Sequence, residues 1–161
     1  MTVIFSMRPA FYEHYLQTAI AGYAEDNVAS GRWPREGALE RSRLDFERSL
    51  PQGLATPDNH LFEIKTDVNG PTIGIIWFAV QEKHGSRSAF VYDVEIKPEW
   101  RRQGHAMRAF KALEPLVRAL GLASIGLHVF GHNPGAQAMY AKLGYRVTGV
   151  NMAKNLGEED A

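Results

Sequence analysis

The run Ile73-Gly74-Ile75-Ile76-Trp77-Phe78 carries no polar side chain. A strand with one wet face alternates apolar and polar residues, so this unbroken run predicts a strand covered on both faces, at the centre of a helix-flanked sheet. Its neighbours in sequence supply partners. Segments 61–66 and 72–80 flank Asn69-Gly70-Pro71, and 89–96 follows the polar turn 82–87, which gives three antiparallel strands by local pairing.

On the N-terminal side, 2–7 reads as a short first strand and Pro9 as the start of a helix with Phe11, Tyr15, Ile20 and Tyr23 as core candidates. Gly31-Arg32-Trp33-Pro34 interrupts it. A second, amphipathic helix is expected over 36–50, with Ala38, Leu39, Leu44, Phe46 and Leu50 among alternating charges, followed by a loop over 51–59. On the C-terminal side, apolar positions 106, 109, 110, 113, 116, 117 and 120 predict a helix over 104–120, with Pro115 expected to kink it and Gly121 to end it. A strand over 124–130, a helix over 133–143 and a closing strand over 145–152 complete the reading. The order implies an α/β (α+β) fold with a mixed, mostly antiparallel sheet and about four helices, not a regularly alternating doubly wound fold. With 161 residues, 45% of them hydrophobic, one domain over 1–161 is expected, helical over 1–60 and sheet-based over 61–155.

Composition narrows the function. Lys+Arg and Asp+Glu both number 18, so there is no basic excess for a run of phosphates and nucleic acid is a poor partner. The chain has no cysteine, which excludes disulfides, thiolate metal ligands and a cysteine acyl-enzyme. No run of about 18 apolar residues occurs and the first residues lack the basic and apolar regions of a leader, so a cytoplasmic protein without membrane attachment is expected. His14, His60, His84, His105, His128 and His132 show no HExxH spacing, and no metal is expected.

The segment Val94-Glu95-Ile96-Lys97-Pro98-Glu99-Trp100-Arg101-Arg102-Gln103-Gly104-His105-Ala106 runs from a strand through a turn into a helix. Unpaired amides and the positive end of the helix dipole make such a turn a site for an anion. Gly104 and Ala106 keep bulk away, and the planar guanidinium forks of Arg101 and Arg102 suit a diphosphate. Spacing alone leaves open that these arginines are solvated loop charges and Gly104 an entry glycine. Neither GxxxxGK[ST] nor GxGxxG is present. Arg101-Arg102-Gln103-Gly104-His105-Ala106, with its Val-x-Ile-x-Pro lead-in, resembles the acetyl-CoA motif of the Gcn5-related N-acetyltransferase (GNAT) family. The resemblance implies that the amides of this turn, over Arg101, Arg102, Gln103, Gly104, His105, Ala106 and Met107, hold the CoA pyrophosphate. It implies also that the main chain of Val94, Glu95 and Ile96 bonds the pantetheine arm.

A second segment, Asn133-Pro134-Gly135-Ala136-Gln137-Ala138-Met139-Tyr140-Ala141-Lys142-Leu143-Gly144-Tyr145, is a well-punctuated helix: Asn133 suits the N-cap, Pro134 the first turn and Gly144 the position past the end. Asn133, Ala136 and Tyr140 share one face. Read alone, Asn133 is equally a plain cap and Tyr140 a packing aromatic. The order is similar to the second signature of the same family, which implies that Asn133 and Ala136 contact the cofactor and that Tyr140 is the acid for the departing thiolate. A tyrosine, with an ordinary pKa of about 10, is protonated at neutral pH and can do so.

Without a thiol nucleophile, the simplest route is direct attack of an amine on the thioester in a ternary complex, the amides near Val94 and Ile96 stabilising the oxyanion. An alkylammonium, with a pKa of about 10.4, must first lose a proton. Glu95 and Asp93 are the nearest carboxylates; alternation puts both on the strand face opposite Val94 and Ile96, a bulge could re-aim either, and the choice between them and a water chain stays open. His128 and His132 are further relay candidates, and Trp33, Tyr23 and Trp77 are candidates for an acceptor pocket or for ordinary core. The expected acceptor is a small-molecule amine or a protein amine, with a homodimer left open. The alternative is a non-catalytic acyl-CoA-binding regulatory domain.

Overall fold

The computed structural model describes residues 1–157. Its strands β1 (Val3–Ser6), β2 (Asn59–Lys65), β3 (Thr72–Lys83), β4 (Ser86–Ile96) and β5 (Ile125–Leu127) form one sheet in the order β1-β2-β3-β4-β5. The first four are antiparallel, and β5 pairs parallel to β4. Four helices, α1 (Pro9–Ala29), α2 (Ala38–Ser49), α3 (His105–Ala119) and α4 (Pro134–Lys142), pack on the two faces. This is the expected α/β architecture.

β3 is central and covered on both sides, as its composition demands. Ile75 and Trp77 pack with Tyr12, Tyr15, Ala19 and Phe46 beneath α1 and α2. Ile73, Ile76 and Phe78 face the opposite way, toward Ala109, Phe110, Leu113 and Val117 of α3 and Tyr140 of α4. Phe110, 1% exposed, is the largest side chain that α3 contributes, and its removal would cost about 3–5 kcal/mol. Gly74 is required where β3 meets β4: a Cβ there would lie 2.1 Å from the Glu95 carbonyl oxygen.

Several expectations are corrected. The hairpin turn narrows from 82–87 to His84-Gly85, whose φ values of 53° and 77° give the left-handed two-residue turn that matches strand twist. Leu39 and Leu44 are exposed on α2, leaving Ala38, Phe46 and Leu50 as its buried apolar anchors. The strand expected over 124–130 is only three residues long. The closing strand expected over 145–152 does not form; the backbone there has no regular structure, and Val147, Val150 and Met152 are exposed. A strand exists only by pairing, and β5 offers a ladder too short to hold an eight-residue neighbour.

One irregularity in β4 matters most. Trp77 pairs with Asp93 and Phe78 with Val91, so Tyr92 is an extra residue, a β-bulge. Before it, Ala89 and Val91 face the α3 side; after it, Val94 and Ile96 do. The bulge shifts the alternation by one and puts Asp93 and Glu95 opposite Trp77 and Ile75, on the face that carries α1.

Candidate active site

β5 pairs with β4 only opposite Ala89, Phe90 and Val91. Beyond Val91 the two strands part, and the outer edge of β4 over residues 92–96 has no strand beside it among the described residues. Lys97 N–H donates to Ile73 O at 2.7 Å, toward β3. By the alternation of an antiparallel ladder, the main-chain groups of Val94 and Ile96 then point the other way, into the opening.

The opening leads to the first turn of α3. Arg102, with φ 63°, and Gly104, with φ 81°, are both left-handed and turn the chain sharply so that α3 starts directly after β4 and a 3-10 turn. The Arg108 guanidinium lies over Gly104, where a Cβ would be 2.6 Å from Nη1 and would displace the flexible end of that side chain. Ile96, Trp100, Arg101, Arg102, Gly104, His105, Ala106, Met107 and Met139 line a cavity of about 240 Å³ here. The free amides of the helix start and the dipole make it suited to an anion.

The two arginines differ. Arg101 is engaged: its Nε donates to Ile96 O and its Nη2 lies 3.2 Å from Glu95 Oε1. Arg102 is exposed and makes no ion pair among the described residues. Arg108, which no sequence signal marked, braces the turn by donating to Gln103 O at 2.9 Å and Thr2 Oγ1 at 2.8 Å. His105 is buried beside Trp100, with Nδ1 3.0 Å from Thr2 Oγ1. Burial, helped by the charges of Arg108 and the N-terminus, holds its pKa below the ordinary value, so it is a neutral structural group.

On the other side of the opening, Asn133 caps α4: its Oδ1 accepts from Ala136 N–H at 3.3 Å. Ala136 packs half-buried against the core, and Tyr140 is 8% exposed, edge-on to Phe110 at 5.3 Å and to Tyr145 at 5.7 Å. Burial pushes the Tyr140 phenol up to about 12, with Tyr145 and the charge of Asp93 adding to the shift. It is protonated throughout the neutral range, and the charge of Asp93 reaches it through space.

Asp93 and Glu95, left as alternatives by the sequence, occupy different environments. Glu95 is exposed and ion-paired with Arg101. Asp93 is half-buried and accepts from Tyr15 Oη at 2.6 Å. Burial pushes its carboxyl up to about 6, with Glu95 and Asp26 raising it further and Tyr15 and the Val94 amide opposing them. Tyr15 was legible only as a core aromatic, because its partner is 78 residues away.

The remaining candidates divide likewise. Trp77, 3% exposed, is core and donates through Nε1 to Asn59 Oδ1; Tyr23 bridges Trp33 and Phe46 edge-on. His132 reaches Asp26 of α1 at 3.5 Å, which ties the loop after β5 to the first helix. Burial and the charge of Arg32 depress His128. Among the described residues no group of three His, Asp or Glu side chains could hold a metal ion, and no helix is long and apolar enough to cross a membrane.

The sequence profile of the Acetyltransferase (GNAT) family matches residues 11–145. The uncharacterized N-acetyltransferase YycN of Bacillus subtilis is 34% identical over 157 residues, covering 97% of this chain and 100% of YycN. A second B. subtilis protein, the uncharacterized N-acetyltransferase YdgE, is 30% identical over 90% of this chain and 92% of its own. The crystal structure of YycN superposes with a TM-score of 0.92, covering 98% of this chain and 100% of that one.

Proposed function

Because this chain belongs to the acetyltransferase (GNAT) family, we propose that it transfers an acetyl group from acetyl-CoA to a primary amine by direct attack in a ternary complex. What supports the reading is that the part of the β4 edge with no strand beside it among the described residues leads to a helix start suited to an anion, with the Asp93 carboxyl and the neutral Tyr140 phenol within electrostatic reach of each other.

In this reading the pyrophosphate rests on the amides at the start of α3, with Arg102 as its cationic contact. The pantetheine arm lies along the edge of β4 and bonds the main chain of Val94 and the N–H of Ile96, whose carbonyl oxygen accepts from Arg101, while Asn133 and Ala136 border it from α4. The amine enters from the α1 face. Asp93 takes one proton from the ammonium, the freed nitrogen attacks the thioester carbonyl, and the C–S bond breaks as Tyr140 donates its proton to the leaving thiolate while the surplus proton of the new amide nitrogen passes through water to restore the Tyr140 phenol. Asp93 is the better proton acceptor of the two carboxylates because it is oriented by Tyr15 and is half-ionised near pH 6, whereas Glu95 is held by Arg101 in solvent. The acceptor is a small-molecule amine or a protein amine.

Calorimetric titration with acetyl-CoA tests the cofactor half. Saturable binding is expected for the wild type and none for an Arg102→Glu, Gly104→Glu double variant, since both changes put negative charge where the pyrophosphate lies. A folded wild type that does not bind acetyl-CoA would refute the reading, and binding without CoA release across an amine panel would favour a binder over an enzyme.

A further inference from the structure

Tyr15 is 4% exposed, packed among Tyr12, Ala19, Phe46 and Trp77 beneath α1. A hydroxyl placed there needs a partner, because an unpaired one costs about 1–3 kcal/mol. The partner is a carboxylate on the bulged part of β4, at a charge-assisted distance of 2.6 Å. Such an arrangement is poor design for stability alone, since a backbone carbonyl would satisfy the hydroxyl without desolvating a charge.

Groups around Asp93 come from four elements. From α1, Tyr15 faces it and Asp26 acts on it through space; from β4, Glu95 repels its charge and the Val94 N–H supports it; from α4, Tyr140 lies within electrostatic reach. On β3 its cross-strand neighbour is the uncharged Trp77. No cation pairs with Asp93 among the described residues, so Tyr15 is the side chain that favours its ionised form.

We propose that Tyr15 is a positioning residue for proton transfer: its O–H, delivered by α1, fixes the orientation of the Asp93 carboxylate and sets the pH above which that carboxylate accepts the proton of the incoming amine. The proposal rests on the reading of Asp93 as proton acceptor. It makes α1 a contributor to the chemistry as well as a cover for the sheet, and it couples the acceptor-side helix to the β4 bulge.

The test uses the full chain in two measurements. Carbon-13 NMR of aspartate-labelled protein follows the Asp93 carboxyl against pH, with Asp93→Asn to assign the signal; it needs no acceptor. CoA release from acetyl-CoA with n-butylamine gives the pH profile of kcat/KM. In Tyr15→Phe, loss of the donor should move the carboxyl titration upward by about one unit and the acidic limb of the rate profile with it. Replacing Tyr15 by 3-fluorotyrosine, a stronger donor of nearly unchanged shape, should move both downward, and this variant decides the matter if the phenylalanine variant packs poorly. An Asp93 titration that stays in place in both variants, or that moves without the rate limb, overturns the proposal. Full activity of Asp93→Asn would instead refute Asp93 as the acceptor while leaving the hydrogen bond intact.

Discussion

Arg101 Nε donates to the carbonyl oxygen of Ile96 at 2.7 Å, so the first arginine of the turn before α3 is bound to the end of β4. That leaves Arg102 as the guanidinium available to a phosphate. Arg102→Ala should therefore weaken acetyl-CoA binding about tenfold with little change in melting temperature, as expected for one charge-assisted hydrogen bond. Arg101→Ala should lower the melting temperature by a few degrees and reduce affinity less. Calorimetry and thermal melts of the two variants separate these effects.

Tyr140 is held neutral by burial and packs edge-on to Phe110. Tyr140→Phe keeps the ring and removes the proton donor. The acetyl-CoA dissociation constant should stay within about twofold while kcat falls on the order of 100-fold. Equal turnover in the two forms would remove Tyr140 from the mechanism.

Asp93 carries a stability cost whose sign follows from its titration. Its folded pKa of about 6 exceeds the ordinary carboxylate value, so the native state binds more protons than the unfolded chain between about pH 4 and 6. Stability therefore falls as pH rises through that window and the loss is complete above it. Asp93→Asn, which still accepts from Tyr15, should be more stable than wild type at pH 8 by about 2 kcal/mol and no more stable at pH 4. Denaturant melts at the two pH values check this.

Glu63 shows the opposite case. Burial would raise its carboxyl, but hydrogen bonds from the Arg8 guanidinium, Thr72 Oγ1 and the Arg8 amide outweigh burial and hold it at about 2. Its stabilisation is present above the unfolded carboxylate pKa and is lost as pH falls toward 2. Glu63→Gln should melt lower than wild type at pH 7, and the difference should vanish near pH 2. A constant difference across that range would mean that the contact acts through packing alone.

The turn before α3 and the helix α4 were readable in the chain because their signals are contiguous. The strand, the turn with Gly104 and the start of α3 lie within 13 residues, and the cap, face and terminator of α4 within another 13. Their conformations follow from local chemistry: an unpaired helix start, a left-handed glycine, an N-capping asparagine. The coverage of β3 on both faces was equally plain, since an apolar run has no other stable placement.

Contacts between distant segments were not readable, for a different reason. Whether Asp93 or Glu95 could act depended on a bulge at Tyr92, and a one-residue shift in register moves every later side chain to the other face. Arg101 and Arg102 are alike in residue type, and only the folded turn directs the Arg101 guanidinium onto Ile96 O. The 145–152 strand was inferred from composition, but strand formation needs a partner edge that β5 is too short to supply. Tyr15 and Asp93 meet across 78 residues, and Thr2 and Arg108 across 106. Local preferences specify the elements and the anion-binding turn; the docking of α1 onto the bulged strand, a matter of long-range packing, selects which carboxylate is buried, which is solvated and what each can do.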